Sequence, residues 1–324
     1  MSNIRDVSKV AGVSVATVSR ALQKPELVTE KTRAKVAAAV RELGYQPNMM
    51  ARNFRRKKSF NILVLVPDFS NPFFSKVIRG IQTTARSYGY NILLGDTQNH
   101  EDIEEEMASL LLSNLADGII QLSARFPFED LNASGGRILP IVNCCECVET
   151  DSMPTVSLDN VGAARAVADH LISLDHTSIG IISGPPDSPL TKSRLSGFLS
   201  RLDESGVSVR EDCCVDGDYS IESGALAMKE LLRLLTRPTA VFCFNDEMAY
   251  GAMQQIKAVG LRIPDDIALV GFDDLPYSRI MEPSLTTVSQ PSEGFGPAAV
   301  EQLLALINGY DLPSRHIQLS FELK

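Results

Sequence analysis

The first 22 residues constrain this chain most, because they contain two short helical repeats separated by a glycine. Ile4, Val7 and Ala11 recur at steps of three and four residues, which is typical of one face of a helix. Gly12 follows where the chain turns, and the Ser14 side chain can cap a second helix. This pattern predicts a helix-turn-helix, whose second helix lies in the DNA major groove. An ordinary helical hairpin is the alternative, because short motifs also occur without function.

The second helix of this motif is expected to have an inner and an outer face. Val18 and Leu22 are predicted to face the core. The outer face offers small apolar side chains for thymine methyl groups, an arginine for a guanine edge or a phosphate, and hydroxyls for phosphates. These predicted DNA contacts are Val15, Ala16, Arg20, Ser14, Thr17 and Ser19.

Charge is distributed unevenly along the 324 residues. The first 60 contain 13 Lys/Arg and 4 Asp/Glu, a net charge of +9, whereas the rest contain 18 and 36, a net charge of −18. A basic module on an acidic body favours nucleic-acid binding by the N-terminal part. The N-terminus is polar and no long apolar run follows, so we expect a cytoplasmic protein without a membrane segment.

The cysteines and histidines do not suggest a metal or catalytic site. The spacing of the cysteines does not match that of zinc sites, so free thiols are expected at Cys144, Cys145, Cys147, Cys213, Cys214 and Cys243. The four histidines are neither paired with a nucleophile nor placed at metal spacing. We therefore expect no metal, no cofactor and no enzymatic activity.

A basic segment follows the motif and a third helix that runs from Thr29 to Gly44. Pro47 fits the first turn of a further short helix, in which basic residues surround Met49, Met50 and Phe54. It is either a solvated linker or a hinge helix that orders on DNA and inserts an apolar wedge between base pairs. The second interpretation places Asn48, Arg52 and Phe54 on DNA. The predicted domains are a headpiece at 1–46, a hinge at 47–60 and a regulatory domain at 61–324.

Strands and helices alternate from Asn61 onward. The predicted strands are Ile62–Val66, Ile92–Leu94, Ile119–Leu122, Ile138–Val142, Ile179–Ile182, Ala240–Phe244 and Ile267–Val270. The predicted helices are Phe74–Tyr88, Asp102–Ser113, Val161–Leu174, Leu190–Ser205, Ser223–Leu235, Glu247–Val259 and Pro297–Ile307. Two successive sets of βαβ units predict two doubly wound parallel-sheet subdomains that face a cleft.

Several motifs occur in the order found in one family of repressors. They are Val13-Ser14-Val15-Ala16-Thr17-Val18-Ser19-Arg20, Gly44-Tyr45-Gln46-Pro47-Asn48, Asn71-Pro72-Phe73-Phe74, Asp117-Gly118, Asn245-Asp246 before Met248-Ala249, and Val270-Gly271-Phe272-Asp273-Asp274. Through these residues the sequence resembles the LacI/GalR family.

The resemblance implies a helix-turn-helix headpiece with a hinge helix, joined to an α/β regulatory domain similar to periplasmic binding proteins. It also implies chain crossings near Asp159 and Gln290, so that the last helix returns to the first subdomain, and it aligns Phe54 with an intercalating leucine. Similar repressors usually continue beyond Leu323-Lys324, so we expect the edge of the second sheet to be less protected.

The candidate ligand residues follow the ends of the predicted strands, where open α/β sheets bind ligands. They are Asp68, Phe73 and Phe74, Ser123, Glu146, Asn245 and Asp273. The resemblance adds Arg194 and Tyr219 and assigns hydroxyl binding to Arg194, Asn245 and Asp273. Alternatives remain: the aromatic rings could be core, Asp273-Asp274 could cap a helix, Arg194 could pair with an acid, and Asp68, Asp246 and Asp273 could hold a cation.

The leading functional hypothesis is a transcriptional repressor whose affinity for operator DNA depends on a nucleoside or sugar in the cleft. A homodimer reading a near-palindrome is expected, because two headpieces are needed for a two-stranded site. The sequence leaves open whether the ligand releases or promotes DNA binding. A transport-type nucleoside or sugar binding protein is the second hypothesis, and an enzyme acting on nucleosides is the third.

Overall fold

The computed structural model describes residues 2–46, 58–123, 140–146 and 153–324. The chain divides into two units, Met1–Ser59 and Phe60–Lys324. The predicted hinge helix falls outside the described residues, and so do the proposed DNA contacts Asn48, Arg52 and Phe54.

Within residues 2–46, the N-terminal unit contains three α-helices, each begun by a polar side chain. They are α1 (Ile4–Ala11), α2 (Val15–Gln23) and α3 (Glu30–Glu42), with a 3₁₀ turn at Pro25–Leu27. Asn3 and Asp6 form a capping box on α1, and the hydroxyls of Ser14 and Thr29 accept backbone N–H groups at the starts of α2 and α3. Such caps satisfy donors that a helix start otherwise leaves unpaired.

The core of this unit lies between the three helices. Val7 of α1, Val18 of α2 and Val36 of α3 are buried together. On α2 the fully buried partner of Val18 is Ala21, while Leu22 is half-buried and packs at the margin. The predicted inner face is therefore correct in direction but centred one residue earlier.

The second unit contains two six-stranded sheets, and each sheet with its helices is called a lobe below. The first sheet consists of β1 (Asn61–Val66), β2 (Asn91–Asp96), β3 (Gly118–Gln121), β4 (Ile141–Cys145), β5 (Thr155–Leu158) and β11 (His316–Leu319). Its order is β11-β5-β4-β3-β1-β2, and all pairs are parallel.

The second sheet has the same design. It consists of β6 (Ile179–Ser183), β7 (Cys214–Asp216), β8 (Ala240–Cys243), β9 (Ala268–Phe272), β10 (Thr286–Ser289) and β12 (Glu322–Leu323). Its order is β12-β10-β9-β8-β6-β7, and only β12 runs antiparallel within this sheet. The two parallel sheets confirm the predicted α/β class.

In the described part of this unit, seven helices lie against the sheets. They are α4 (Pro72–Ser87), α5 (Glu101–Leu112), α6 (Asn160–Ser173), α7 (Pro189–Glu204), α8 (Ile221–Leu231), α9 (Asp246–Ala258) and α10 (Ser292–Ile307), with a 3₁₀ turn at Pro276–Arg279. The prediction began the last helix at Pro297, since proline favours the first turn. In the structure Pro297 lies inside α10, which begins five residues earlier.

Helices α4 and α10 of the first lobe approach each other at two glycines. A Cβ on Gly80 would lie 2.5 Å from the Glu293 carbonyl oxygen, and one on Gly296 would lie 2.2 Å from the Gly80 carbonyl carbon. The last helix thus packs backbone against backbone on the first lobe, after the chain has built most of the second.

The chain passes between the sheets three times. It leaves the first sheet after β5, returns after β10, and leaves again at residues 320–321 between β11 and β12. The family resemblance implies two of these passages, and the third is not predicted because β11 and β12 are four and two residues long and carry little pattern. β12 covers the outer edge of β10. Within the described ranges, no helix is both long and apolar enough to span a membrane.

Candidate ligand cleft and DNA-binding surface

The carboxyl ends of the two sheets face one another across a cleft. Lys76, on α4 of the first lobe, donates to the carbonyl oxygen of Asp274 at the end of β9 in the second lobe, at 3.2 Å. Glu146, after β4 of the first lobe, lies near enough to Arg194 on α7 to affect the pKa of its guanidinium. Side chains that follow the strand ends of both lobes therefore lie close together, as expected for open α/β sheets.

Arg194 is a buried cation in this cleft, only 3% exposed. Its Nε donates to Asn160 Oδ1 at 3.0 Å, another guanidinium nitrogen donates to the Phe244 carbonyl oxygen, and the Phe272 ring lies 3.6 Å below the guanidinium carbon. Burial lowers the pKa of Arg194, while the acids around it act in the opposite direction. Among the described residues, its hydrogen-bond and ring partners are neutral groups, so they hold the guanidinium in place without neutralising its charge.

Asp273 is the matching buried acid. It follows β9 with a φ of 117°, and its Oδ1 accepts from Gln290 Nε2 at 2.6 Å. Burial raises the pKa of Asp273 to about 8, against the attraction of Arg194. Near neutral pH the carboxyl group is therefore mostly protonated, and it can both donate to and accept from a hydroxyl.

Asp246 and Glu247, at the start of α9, surround this site with further acids. Both Asp246 oxygens are used by the fold: they accept from Thr287 Oγ1 at 2.6 Å, Ser278 Oγ at 2.5 Å and the Leu275 N–H at 2.8 Å. Burial raises the pKa of Asp246 to about 6. Burial, with Asp68 of the other lobe, raises the pKa of Glu247 to about 7.

Tyr219 contributes an aromatic ring to the second lobe. Its hydroxyl lies 2.8 Å from Thr191 Oγ1 on α7, and burial raises its pKa. The ring covers Gly184, where a Cβ would lie 2.2 Å from it. A side chain at Gly184 would displace this ring, so the glycine keeps the position open.

Asn245 and Ser123 are buried, and their polar groups already have partners. Asn245 Oδ1 caps α9 by accepting the Met248 N–H, and its Nδ2 donates to the Tyr219 carbonyl oxygen at 2.8 Å. Ser123 donates to Glu104 Oε1 at 2.9 Å in a buried polar network. In this arrangement both residues support the walls of the cleft.

The two phenylalanines at the start of α4 differ in exposure. Phe73 is 7% exposed and packs edge-on against Phe295, with ring centroids 6.2 Å apart. Phe74 is half-buried and meets Phe73 at 5.4 Å. Of the two, Phe74 offers the more accessible ring.

Asp68 and Asp274 both accept hydrogen bonds from neighbouring groups of their own lobe. Asp68 is exposed and accepts the Ser70 N–H and hydroxyl at 2.7 Å, which closes a turn after β1. Asp274 binds Arg279 at 2.7 Å and Ser289 at 2.8 Å. Leu275 occupies the cap position of the 3₁₀ turn, and no side chain caps it, so Asp273-Asp274 is not a helix cap.

Three residues of the cleft were missed in the sequence analysis as contacts: Thr191, Asn160 and Gln290. Gln290 directly follows β10 and Asn160 lies two residues after β5, and neither strand was recognised. Both residues would have been candidates if these short strands had been identified, because ligands bind beyond strand ends. Among the described residues, no cluster of His, Cys, Asp and Glu suitable for a metal ion is present.

The exposed face of α2 carries the predicted DNA contacts. Val15, Ala16 and Arg20 are exposed, and Gly12 makes the turn before them with a φ of 65°. The Ser14 hydroxyl is occupied by the Thr17 N–H at 3.1 Å, and half-buried Ser19 accepts from Gln23. The apolar and cationic side chains thus point outward, while Ser14 and Ser19 also stabilise the helix.

Two family models match the chain. The model described as bacterial regulatory proteins of the lacI family matches residues 3–48. The model described as periplasmic binding proteins and sugar binding domain of the LacI family matches residues 59–323.

Individual relatives match over nearly the whole length. The HTH-type transcriptional repressor CytR of Escherichia coli strain K12 is 39% identical over 313 residues, which cover 97% of this chain and 92% of that protein. The Lac repressor dimer bound to operator and the anti-inducer ONPF is similar with a TM-score of 0.87 at 29% identity, covering 99% of this chain and 97% of that one. The complex of the transcriptional regulator CelR with cellobiose has a TM-score of 0.75 at 27% identity, covering 100% and 98%.

The helix-turn-helix unit, the two-lobed unit with its polar cleft and these matches agree with one another. The chain therefore belongs to the LacI family of bacterial regulatory proteins, and it is a DNA-binding transcriptional repressor controlled by a small ligand.

Proposed function

We propose that this chain acts in the cytoplasm as a homodimer that grips a near-palindromic operator and changes its grip when a nucleoside binds in the cleft. In this proposal, residues 1–46 form the headpiece, 47–60 the hinge and 61–324 the effector and dimerisation domain. α2 reads the major groove with Val15, Ala16 and Arg20, and Ser14, Thr17 and Ser19 set its register on phosphates. Asn48, Arg52 and Phe54 act in the minor groove.

The observation that carries the ligand part is the buried pair of Arg194 and Asp273. Each binds a neutral amide of the protein rather than the other. A guanidinium and a carboxyl group held apart in this way can bind the two hydroxyls of a sugar ring, because the guanidinium donates and the carboxyl group accepts or donates. Burial makes such bonds selective, since a ligand without these hydroxyls leaves buried polar groups unpaired.

A ring completes the proposed ligand. Phe74 and Tyr219 offer flat apolar area, with Phe73 behind Phe74, which suits a nucleobase or the face of a sugar. The remaining candidate residues line or support the same cleft, namely Asp68, Ser123, Glu146 and Asn245. Resemblance to the cytidine repressor in Val66-Pro67-Asp68 and Pro72-Phe73-Phe74 favours a nucleoside over a free sugar.

Two exposed apolar areas support the homodimer. On the first lobe, Leu93 and Leu94 are exposed on the edge strand β2. On the second lobe, exposed apolar side chains occur on α8, directly after α9 and around the 3₁₀ turn, namely Ile221, Leu226, Val259, Tyr277 and Ile280. Exposed apolar groups of this kind are typical of surfaces that are covered in the assembly.

The DNA part is tested by selecting duplexes from a randomised pool with the full-length protein. We expect an enriched near-palindrome whose affinity falls steeply with salt, since basic residues displace counterions from phosphates. Enrichment of no sequence at low salt would contradict operator binding and favour a binding protein without operator function.

The ligand part is tested with cytidine, uridine, adenosine, guanosine and ribose. A specific ligand should raise the melting temperature of the full-length protein and change its affinity for the selected duplex. Stabilisation by ribose but by none of the nucleosides would favour a sugar effector. The absence of any response to all five probes would contradict the proposed effector class.

A further inference from the structure

Arg194 and Asp273 of the cleft share one feature: each is held by the amide side chain of a residue at a passage between the lobes. Arg194 donates to Asn160, which follows β5 at the first passage. Asp273 accepts from Gln290, which follows β10 at the second. Asn160 is 6% exposed and Gln290 is 9% exposed, so both bonds are shielded from water.

Asn160 connects parts of both lobes through one side chain. Its Oδ1 accepts from Arg194 on α7 of the second lobe at 3.0 Å, and its Nδ2 donates to the Leu158 carbonyl oxygen of β5 in the first lobe at 3.3 Å. The neighbouring Asp159 N–H reaches the Leu319 carbonyl oxygen at 3.4 Å, which joins the first passage to the third.

Gln290 makes the equivalent connection at the second passage. Its Nε2 donates to Asp273 at the end of β9 in the second lobe at 2.6 Å. The main-chain carbonyl oxygen of Gln290 accepts the N–H of Ser292, the first residue of α10 on the first lobe, at 2.8 Å. A shift of either Arg194 or Asp273 must therefore move a bond that lies where one lobe ends and the other begins.

We infer that Asn160 and Gln290 are positioning residues that transmit occupancy of the cleft to the passages between the lobes. This inference rests on the proposed function, because it concerns how the ligand that binds Arg194 and Asp273 changes DNA affinity. A ligand alters an equilibrium only through contacts that differ between two states. The amides provide such contacts, since each residue bonds a charged group of the second lobe and also a neighbouring group at the passage to the first lobe.

The inference is tested by replacing each amide with an apolar side chain of similar shape. Asn160→Leu and Gln290→Met are compared with the parental full-length protein for affinity to the selected duplex, with and without each of the five probes. For the parental protein we expect a ligand-dependent change of about fivefold or more. For each variant we expect a change below about twofold, although ligand binding measured by calorimetry persists.

Conservative variants separate transmission from general loss of structure. Asn160→Asp keeps an acceptor for Arg194 and should retain most of the response. In Gln290→Glu, two carboxyl groups would face each other at hydrogen-bonding distance, so they must share a proton. Its response to ligand should therefore be retained near neutral pH, where the shared proton bridges the two groups.

Gln302 provides a matched control. It is a buried amide on α10 that donates to the Ser314 carbonyl oxygen at 3.1 Å, away from both charged groups. Gln302→Met should keep the parental response. A parental protein that responds to none of the probes would contradict the proposed function, and this inference with it. A responding parental protein whose Asn160→Leu and Gln290→Met variants respond equally would contradict the inference alone.

Discussion

At the scale of single residues, this cleft places charged groups where burial changes their chemistry. Asp273 is 7% exposed and has a pKa of about 8, although a guanidinium lies near it. The neutral carboxyl group suits an uncharged polyol better than a cation. Burial of the Asp273 carboxyl group therefore favours ligand binding but lowers the stability of the fold near neutral pH.

Asp273→Asn should reduce the dependence of stability on pH. The folded protein keeps the Asp273 proton at pH values where the unfolded chain has lost it, so the parental free energy of unfolding falls as the pH rises from about 4 to about 8. Asparagine can still accept from Gln290 but does not titrate. Denaturant unfolding at pH 5 and pH 8 measures both proteins. Equal pH slopes would show that Asp273 ionises normally.

Val15→Ala tests the outer face of α2. Val15 is 38% exposed, so its methyl groups are available to DNA while contributing little to the core. If they cover thymine methyls, their loss should weaken binding to the selected duplex about tenfold, roughly 1.4 kcal/mol, without changing the melting temperature. Val10→Ala, at another exposed valine on α1, is the control. A similar loss of affinity in both variants would argue against α2 as the reading helix.

At the scale of elements, two helices far apart in sequence are joined by glycines. Gly80 on α4 and Gly296 on α10 allow their backbones to touch. This contact holds the last helix on the first lobe. Any residue can adopt the helical conformation at these two positions, but only glycine leaves room for the neighbouring backbone.

Gly296→Ala should therefore destabilise the regulatory unit by about 1–3 kcal/mol, because the new methyl group would overlap the backbone of α4. Gly294→Ala, two residues earlier in the same helix, is the matched control. A Cβ there would lie 3.5 Å from Pro291, an ordinary contact, so the change should be neutral or slightly stabilising. Urea unfolding of both variants measures the difference. Equal stability would exclude close packing at Gly296.

The elements also show what the sequence predicted and what it did not. Long periodic segments such as α4 and apolar runs such as β1 were predicted within a few residues, because burial imposes their pattern. β5, β7, β10, β11 and β12 were not predicted, since each has four residues or fewer and depends on pairing with distant strands. Asn160 and Gln290 were missed for the same reason. Asp273 and Arg194 were found through motif resemblance, but their amide partners are contacts of the tertiary fold.

At the scale of the whole molecule, the charge separation and the exposed apolar areas point to assembly on DNA. The basic first 60 residues would bind phosphates weakly as a single copy. Joining two copies raises the effective concentration of the second headpiece, which increases affinity without any new contact. The apolar areas at β2 and at the 3₁₀ turn are where two copies would meet.

The double variant Leu94→Lys and Ile280→Lys should separate the dimer, because it puts charge into both exposed apolar areas. We expect a monomer by sedimentation and a loss of at least about 100-fold in affinity for the palindrome, with little change for a single half-site. Leu235→Lys, at a fully exposed leucine after α8, is the control and should remain parental. A double variant that stays dimeric would place the interface elsewhere.

Because the chain passes between the lobes three times, no single continuous gene fragment encodes one lobe. Neither lobe is a continuous stretch of the polypeptide, since the first needs the segments before residue 159 and between 290 and 319, and the second needs the middle of the chain and its last strand. A swap of either lobe between related proteins must therefore exchange several separate pieces. A recombination event with one breakpoint inside this unit would join halves of sheets that were never selected to pair.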